Sequence, residues 1–362
     1  MANTDRTSKR ASIAISPRIV FTLLILTGGA ALPLQAQTES TDRQTPAVTH
    51  NTWTSGTALP TAVWHTAAAV LKNEIYVVGG VNSDDTVIAD VQIYNPVTNT
   101  WSVGVPFPTT ICCASAAVVK NVLYVMGGSI DGTTRISAVW AFNPKKQTWS
   151  SMNPMPTTAA DAGVAVEKDI IYIVGGNSTE MLRSNAVQAY DPATDTWTEE
   201  ATLLDGKSEP SVGLIGTTIV AADGVDNNGT TGNNEGYDAT TNTWSSLASD
   251  PTPRSTACAG SIGAKLYVAG GYNGSDLTLN ESFQLSKNTW KTLAPIPQTT
   301  LFSRDSSTVS AVRPVLTGPF STICRFISRN SGICECPILA CFSRRGGISR
   351  NCPAWDFSQD FA

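Results

Sequence analysis

Five side chains carry the candidate ligand-binding chemistry of this 362-residue chain: His65, Asp161, Lys207, Glu209 and Arg254. Asp161 follows His65 by 96 residues, Glu209 follows Asp161 by 48, and Arg254 follows Lys207 by 47. A step shared by unlike residues marks one place in successive structural units. Acid–base chemistry is narrowly bounded, because the chain has only two histidines, His50 and His65. A serine–histidine relay would need His65, and its surroundings, TAVWHTAAAV, mark no nucleophile. Neither a phosphate-cradling glycine loop before a helix nor a helical period is present. No catalytic residue, metal or cofactor is therefore assigned.

Charge narrows the partners. Residues 37–304 hold 14 Lys and Arg against 24 Asp and Glu, a net of −10. Phosphate neutralisation needs clustered cations, so nucleic acid is not an expected partner.

The elements that must position these residues form a tandem repeat. IYVVGG, LYVMGG, IYIVGG and LYVAGG end in the pairs Gly79 and Gly80, Gly127 and Gly128, Gly175 and Gly176, and Gly270 and Gly271. A worn copy, TIVAADG, keeps Gly224 but places Asp223 where the first glycine belongs. The second glycines step by 48, 48, 48 and 47 residues. A tripeptide ending in TW keeps the same beat through Trp53, Trp101, Trp149, Trp197, Trp244 and Trp290, preceded in each full copy by Tyr94, Phe142, Tyr190, Tyr237 or Phe283. One period reads as four short strands, in the first copy HTAAAVL, EIYVVGG, IADVQIYN and NTWSVG, separated by Asn, Asp, Gly and Pro turns. Such a sheet cannot bury both faces alone, whereas sheets stacked radially bury them against each other around large aromatic rings. The paired glycines then allow close backbone approach and unusual dihedrals.

An apolar run, a diglycine, and a spaced aromatic and tryptophan in units near 50 residues resemble the kelch repeat. The resemblance covers about Trp53 to Trp290 and implies an all-β fold: a kelch β-propeller with five recognisable blades plus an N-terminal closing strand around Trp53, six blades being expected. Many kelch copies carry an arginine seventeen residues before the second glycine that points into the channel mouth. Here that position reads Val63, Ile111, Ala159, Lys207 and Arg254, and two residues later it reads His65, Cys113, Asp161, Glu209 and Thr256. The resemblance thus implies that Lys207, Glu209 and Arg254 lie on adjacent blades and could converge on a ligand; the plainer alternative is solvated turn charges. The loops after each diglycine, rich in Asn, Asp, Thr and Gly, are expected on the same rim. Asn-x-Ser/Thr sequons at Asn177, Asn228, Asn273 and Asn280 are expected in those loops. Kelch-bearing copper radical oxidases look excluded, since the later blades contain no histidine ligands.

The ends divide the chain further. Arg6, Lys9, Arg10 and Arg18 precede the apolar run IVFTLLILTGGAALPL and then QAQTES, the order of a secretory signal over 1–36, with an uncleaved membrane anchor as the alternative. Residues 37–52 form a linker and 53–304 the propeller. Residues 305–362 are anomalous, with six Arg, no Lys and five of eight cysteines. They read as a reading-frame slip near Phe302 to Ser310, or else as a genuinely divergent sixth blade. The tail's CECPILAC matches no zinc spacing. Body cysteines Cys112, Cys113 and Cys258 read as small apolar filling of inner strands.

These features predict an exported monomer, periplasmic, surface-bound or secreted, in which a non-catalytic scaffold presents its loop rim to a protein or glycan. The alternative is an exported carbohydrate-active enzyme resembling the sialic acid mutarotases. Glu209 would then be the acid/base, with Lys207 or Arg254 as the carboxylate clamp.

Overall fold

The computed structural model describes residues 56–296, together with three short tail strands, Val309–Ala311, Cys334–Glu335 and Ala340–Phe342. The expected signal, linker, closing strand with Trp53 and the rest of the tail lie outside the described residues. No helix among the described residues is long and apolar enough to cross a membrane.

Each repeat folds as a four-stranded antiparallel sheet in chain order. Blade one comprises Ala67–Leu71, Glu74–Val78, Val91–Asn95 and Thr100–Val103. Blade two runs through Ser115–Val119, Val122–Met126, Val139–Asn143 and Thr148–Met152. Gly163–Glu167, Ile170–Val174, Val187–Asp191 and Thr196–Glu199 make blade three. Blade four holds Ser211–Ile215, Thr218–Ala222, Asn234–Asp238 and Thr243–Leu247. Blade five holds Cys258–Ile262, Lys265–Ala269, Asn280–Gln284 and Thr289–Leu293. These are the five expected copies, and the all-β propeller arrangement is as the sequence implies.

First strands are mostly buried and pack against those of the neighbouring blades, whereas fourth strands are largely exposed. The apolar core therefore lies between blades. Leu71, Tyr76 and Val78 of blade one, for example, pack with Leu123, Val125 and Phe142 of blade two.

The tryptophan motif ties the last strand of each blade back to the segment that leads into that blade. In every blade the aromatic of strand three pairs across to the tryptophan of strand four, as Tyr237 does with Trp244 at 5.1 Å between ring centroids. Each indole N–H donates to a carbonyl more than 40 residues back: Trp101 to Thr57, Trp149 to Val105, Trp197 to Asn153, Trp244 to Ala201 and Trp290 to Ala248. The residue two before tryptophan adopts positive φ, and as Asn99, Asp195, Asn242 or Asn288 its side-chain oxygen accepts an N–H from the same inter-blade link. Asn and Asp tolerate that backbone and supply the acceptor, which explains the recurring N/D-T-W. Trp244→Phe keeps the stacked ring but removes the bond to Ala201. We expect a loss of about 1 kcal/mol in the urea unfolding of the full chain, the usual net value of one such bond. An unchanged midpoint would deny the staple any energetic role.

Candidate functional site

The turn entering each first strand ends on one residue in left-handed backbone: His65, Cys113, Asp161, Glu209 and Thr256, with φ of 53°, 59°, 54°, 57° and 55°. Non-glycine residues adopt this conformation infrequently, so five equivalent instances imply a constraint from the fold. That constraint is visible as a chain of backbone hydrogen bonds running from blade to blade. Cys113 N–H donates to His65 O at 2.7 Å, Asp161 N–H to Cys113 O at 2.9 Å, and Glu209 N–H to Asp161 O at 2.8 Å. These bonds join the first four of the five ring positions, and all five, one per blade, are partly solvent-exposed.

The loops after the glycine pairs border this ring. The residue preceding each ring member pairs with the first residue after a second glycine: Trp64 with Val81, Cys112 with Ser129, Ala160 with Asn177, Ser208 with Val225 and Ser255 with Tyr272. The fourth loop folds into its own small hairpin, Val225–Asp226 against Gly229–Thr230. Among the sequons, Asn280 departs from expectation. It begins strand three of blade five and is buried, with its amide donating to Ala294 O, so it lies in no rim loop.

Within the ring, His65, Cys113 and Asp161 come together. His65 Nδ1 lies 3.3 Å from Cys113 Sγ and 3.7 Å from an Asp161 oxygen. Burial disfavours the charged imidazole, but Cys113 and Asp161 outweigh it and hold the His65 pKa well above its ordinary value. The Cys113 thiol is also pushed well up, by its contact with Cys112, by burial and by the Asp161 charge, against the opposing pull of His65. Cys112 and Cys258 are buried, as the apolar reading expects, but Cys113 is part of the ring and not strand filling.

Lys207 and Arg254 are placed differently from the converging rim charges the sequence suggested. Both side chains are 0% exposed. Lys207 Nζ meets Glu235 at 3.0 Å and donates to Asn233 O at 3.0 Å. Arg254 is paired with Glu281 and with Asp250, and its guanidinium also reaches Thr252 O and Gly270 O. The cause lies in the ring backbone. Along a regular strand, residues two apart share a face, but Glu209 at φ 57° breaks that alternation, so Lys207 turns inward while Glu209 stays at the mouth. His65, Asp161 and Glu209 remain as ring members.

Comparison with known proteins fits this geometry. The model of the KLHDC2/KLHL20/DRC7 Kelch-repeats domain matches residues 22–223, more than half of the chain, and the Kelch motif model matches 253–297. The chain belongs to the kelch-repeat family. Among solved structures, one titled "Structure of YjhT" is 19% identical, with a TM-score of 0.60 over 67% of this chain and 87% of that one; this likeness concerns the fold. A search of curated proteins found no significant match.

The kelch diglycine is the joint between blades. The second glycine donates its N–H to the residue seventeen positions before the next blade's second glycine or its equivalent: Gly80 to Ile111 O, Gly128 to Ala159 O, Gly176 to Lys207 O and Gly224 to Arg254 O, at 2.7–2.9 Å. A Cβ on Gly79 would lie 2.1 Å from Ile111 O. In blade four Asp223 takes the first-glycine place at φ 60°, fully buried. Burial raises its pKa well above the ordinary carboxyl value, and the Asp250 charge adds to this while Arg254 and Lys207 oppose it. Asp250 is raised too, by burial, against the pull of Arg254. With both acids ionised, neither Asp223 oxygen has a hydrogen-bond partner; protonated Asp223 gains one in Asp250. The defective kelch copy and the two buried cations thus belong to one internal network.

That network sets a pH dependence. The native state holds the Asp223 proton above pH 3.8, where an unfolded aspartic acid has lost it, so stability fully present below 3.8 declines as pH rises toward the raised native value. Asp223→Asn keeps shape and positive φ while removing this titration. We expect the variant's urea midpoint to fall less than wild type's between about pH 4 and about pH 7. Identical slopes would place the proton elsewhere.

Proposed function

We propose that this kelch propeller is an exported, non-catalytic binding module whose ring face takes up a protein or glycan. The observation that carries this reading is the rim: the loops after the second glycines of blades three and five expose Met181 (54%), Leu182 (55%) and Tyr272 (37%), and the ring positions His65, Asp161 and Glu209 are polar and partly exposed. Exposed apolar side chains within a polar rim suit a peptide, and an exposed tyrosine suits a sugar face. The signal-like order of residues 1–36 supports export, and cell fractionation with N-terminal sequencing of the mature chain tests it. The mutarotase-like alternative loses its support, because Lys207 and Arg254 are buried and offer no clamp for a substrate carboxylate.

The binding test presents the full chain to a glycan array and to a random-peptide library. Ligands selected by either are expected to lose at least about tenfold in affinity on Met181→Ser with Leu182→Ser, or on Tyr272→Ala. They are expected to be indifferent to Val103→Ser on the outer strand of blade one. Binders that ignore the rim changes, or acceleration of anomeric exchange in a sialic acid followed by NMR, would overturn the reading.

A further inference from the structure

We propose that His65 Nδ1, Cys113 Sγ and an Asp161 carboxylate oxygen form a three-donor site for a divalent transition ion of the zinc type. Their donor atoms all lie within 4.8 Å of one another. Donors about 2.0–2.3 Å from a tetrahedral zinc stand about 3.3–3.6 Å apart, close to the 3.3 Å from imidazole to thiol and the 3.7 Å from imidazole to carboxylate.

The arrangement distinguishes a chelate from a catalytic relay. In a relay the nucleophile and the orienting carboxylate sit on opposite nitrogens of the imidazole. Here the thiol and the carboxylate both approach Nδ1, and the three donor atoms lie within 4.8 Å of one another, a spacing one ion can bridge. The mixture of thiolate, imidazole and carboxylate is the borderline-soft set that zinc and cobalt accept.

The scaffold supports the site. The three residues come from three consecutive blades and are held in register by the ring's backbone hydrogen bonds. The Asn177 amide approaches the second Asp161 oxygen at 3.5 Å, leaving the first toward His65. His65 and Asp161 side chains are 28% and 15% exposed, so an ion can enter from solvent. Three protein donors also leave a coordination position for water or a ligand group. Binding would displace the thiol proton, as ligation by cysteine requires. The site does not depend on the rim-binding reading; it makes its own prediction.

Cobalt is the probe. The full chain, reduced and stripped with chelator, is titrated with Co2+ and then with Zn2+. The expected result is a saturable one-to-one spectrum with sulfur-to-cobalt charge transfer and tetrahedral ligand-field bands, erased by zinc. Cys113→Ser should abolish the charge transfer, and His65→Gln and Asp161→Asn should weaken binding by at least about tenfold. Cys112→Ser should retain the spectrum, although its Sγ lies only 3.7 Å from that of Cys113. Far-ultraviolet circular dichroism establishes that each chain is folded. Absence of the cobalt spectrum in a folded wild type, or its survival in folded Cys113→Ser, would overturn the proposal.

Discussion

Arg254→Met is expected to destabilise the full chain by about 3–5 kcal/mol, because it strands buried carboxylates at the interface of blades four and five. Glu281 and Asp250 both face the guanidinium, and Arg254, Glu281 and the Asp250 side chain are essentially without solvent contact. Removing the cation leaves their desolvation uncompensated, which is a large share of the 5–15 kcal/mol that typically holds a domain together. The double variant Arg254→Met with Glu281→Leu should recover more than half of the loss, since replacing both partners of a buried pair by apolar groups is far less harmful than removing one. Urea unfolding followed by tryptophan fluorescence supplies both numbers. A wild-type midpoint in the single variant would mean that Arg254 is not a structural ion pair and would return it to the list of rim residues.

Gly127→Ala is the second large effect. Gly127 has φ 62°, and a Cβ there would lie 2.1 Å from Ala159 O and 2.8 Å from the Met155 methyl. Left-handed backbone alone costs an alanine about 1–2 kcal/mol. Displacing Ala159 also endangers its carbonyl's bond from Gly128 N–H, worth about 0.5–1.5 kcal/mol. The total should reach at least about 2 kcal/mol. Gly132→Ala is the matched control, with φ 86° and no atom within 4 Å of a new Cβ. It should lose only the conformational part, so equal losses at the two glycines would show that inter-blade contact contributes nothing.

Most of the architecture was legible because two devices leave periodic marks in sequence. A glycine is favoured where the next blade crosses it, with Asp223 the one exception among the five copies, and a tryptophan wherever an indole must reach back to the previous link, so both recur at the repeat length. The side of the turn on which a charge lies leaves a subtler mark. Lys207 and Glu209 are two apart and would share a face in a strand, but one left-handed residue separates the core from the mouth. The clue to Lys207 and Arg254 was co-occurrence between copies: the place occupied by Gln92, Trp140 and Gln188 becomes Glu235 and Glu281 only where a cation stands seventeen residues before the second glycine. Asp223 looked like decay of one copy, yet its carboxyl belongs with those same cations. Cys113 was passed over because isolated cysteines are commonly buried as small apolar groups; its register with His65 and Asp161 was the stronger signal. Their convergence on one imidazole nitrogen depends on the packing of three successive blades, which no single repeat encodes.

The ring's hydrogen bonds use only backbone atoms, and its five equivalent positions already carry five different side chains. The propeller therefore separates spelling from grammar: each repeat contributes one letter to the mouth without renegotiating the sheet that holds it. Recombination or point change of a 48-residue unit can rewrite that inscription a character at a time, and the same scaffold can address a new target while its glycines and tryptophans stay as they are.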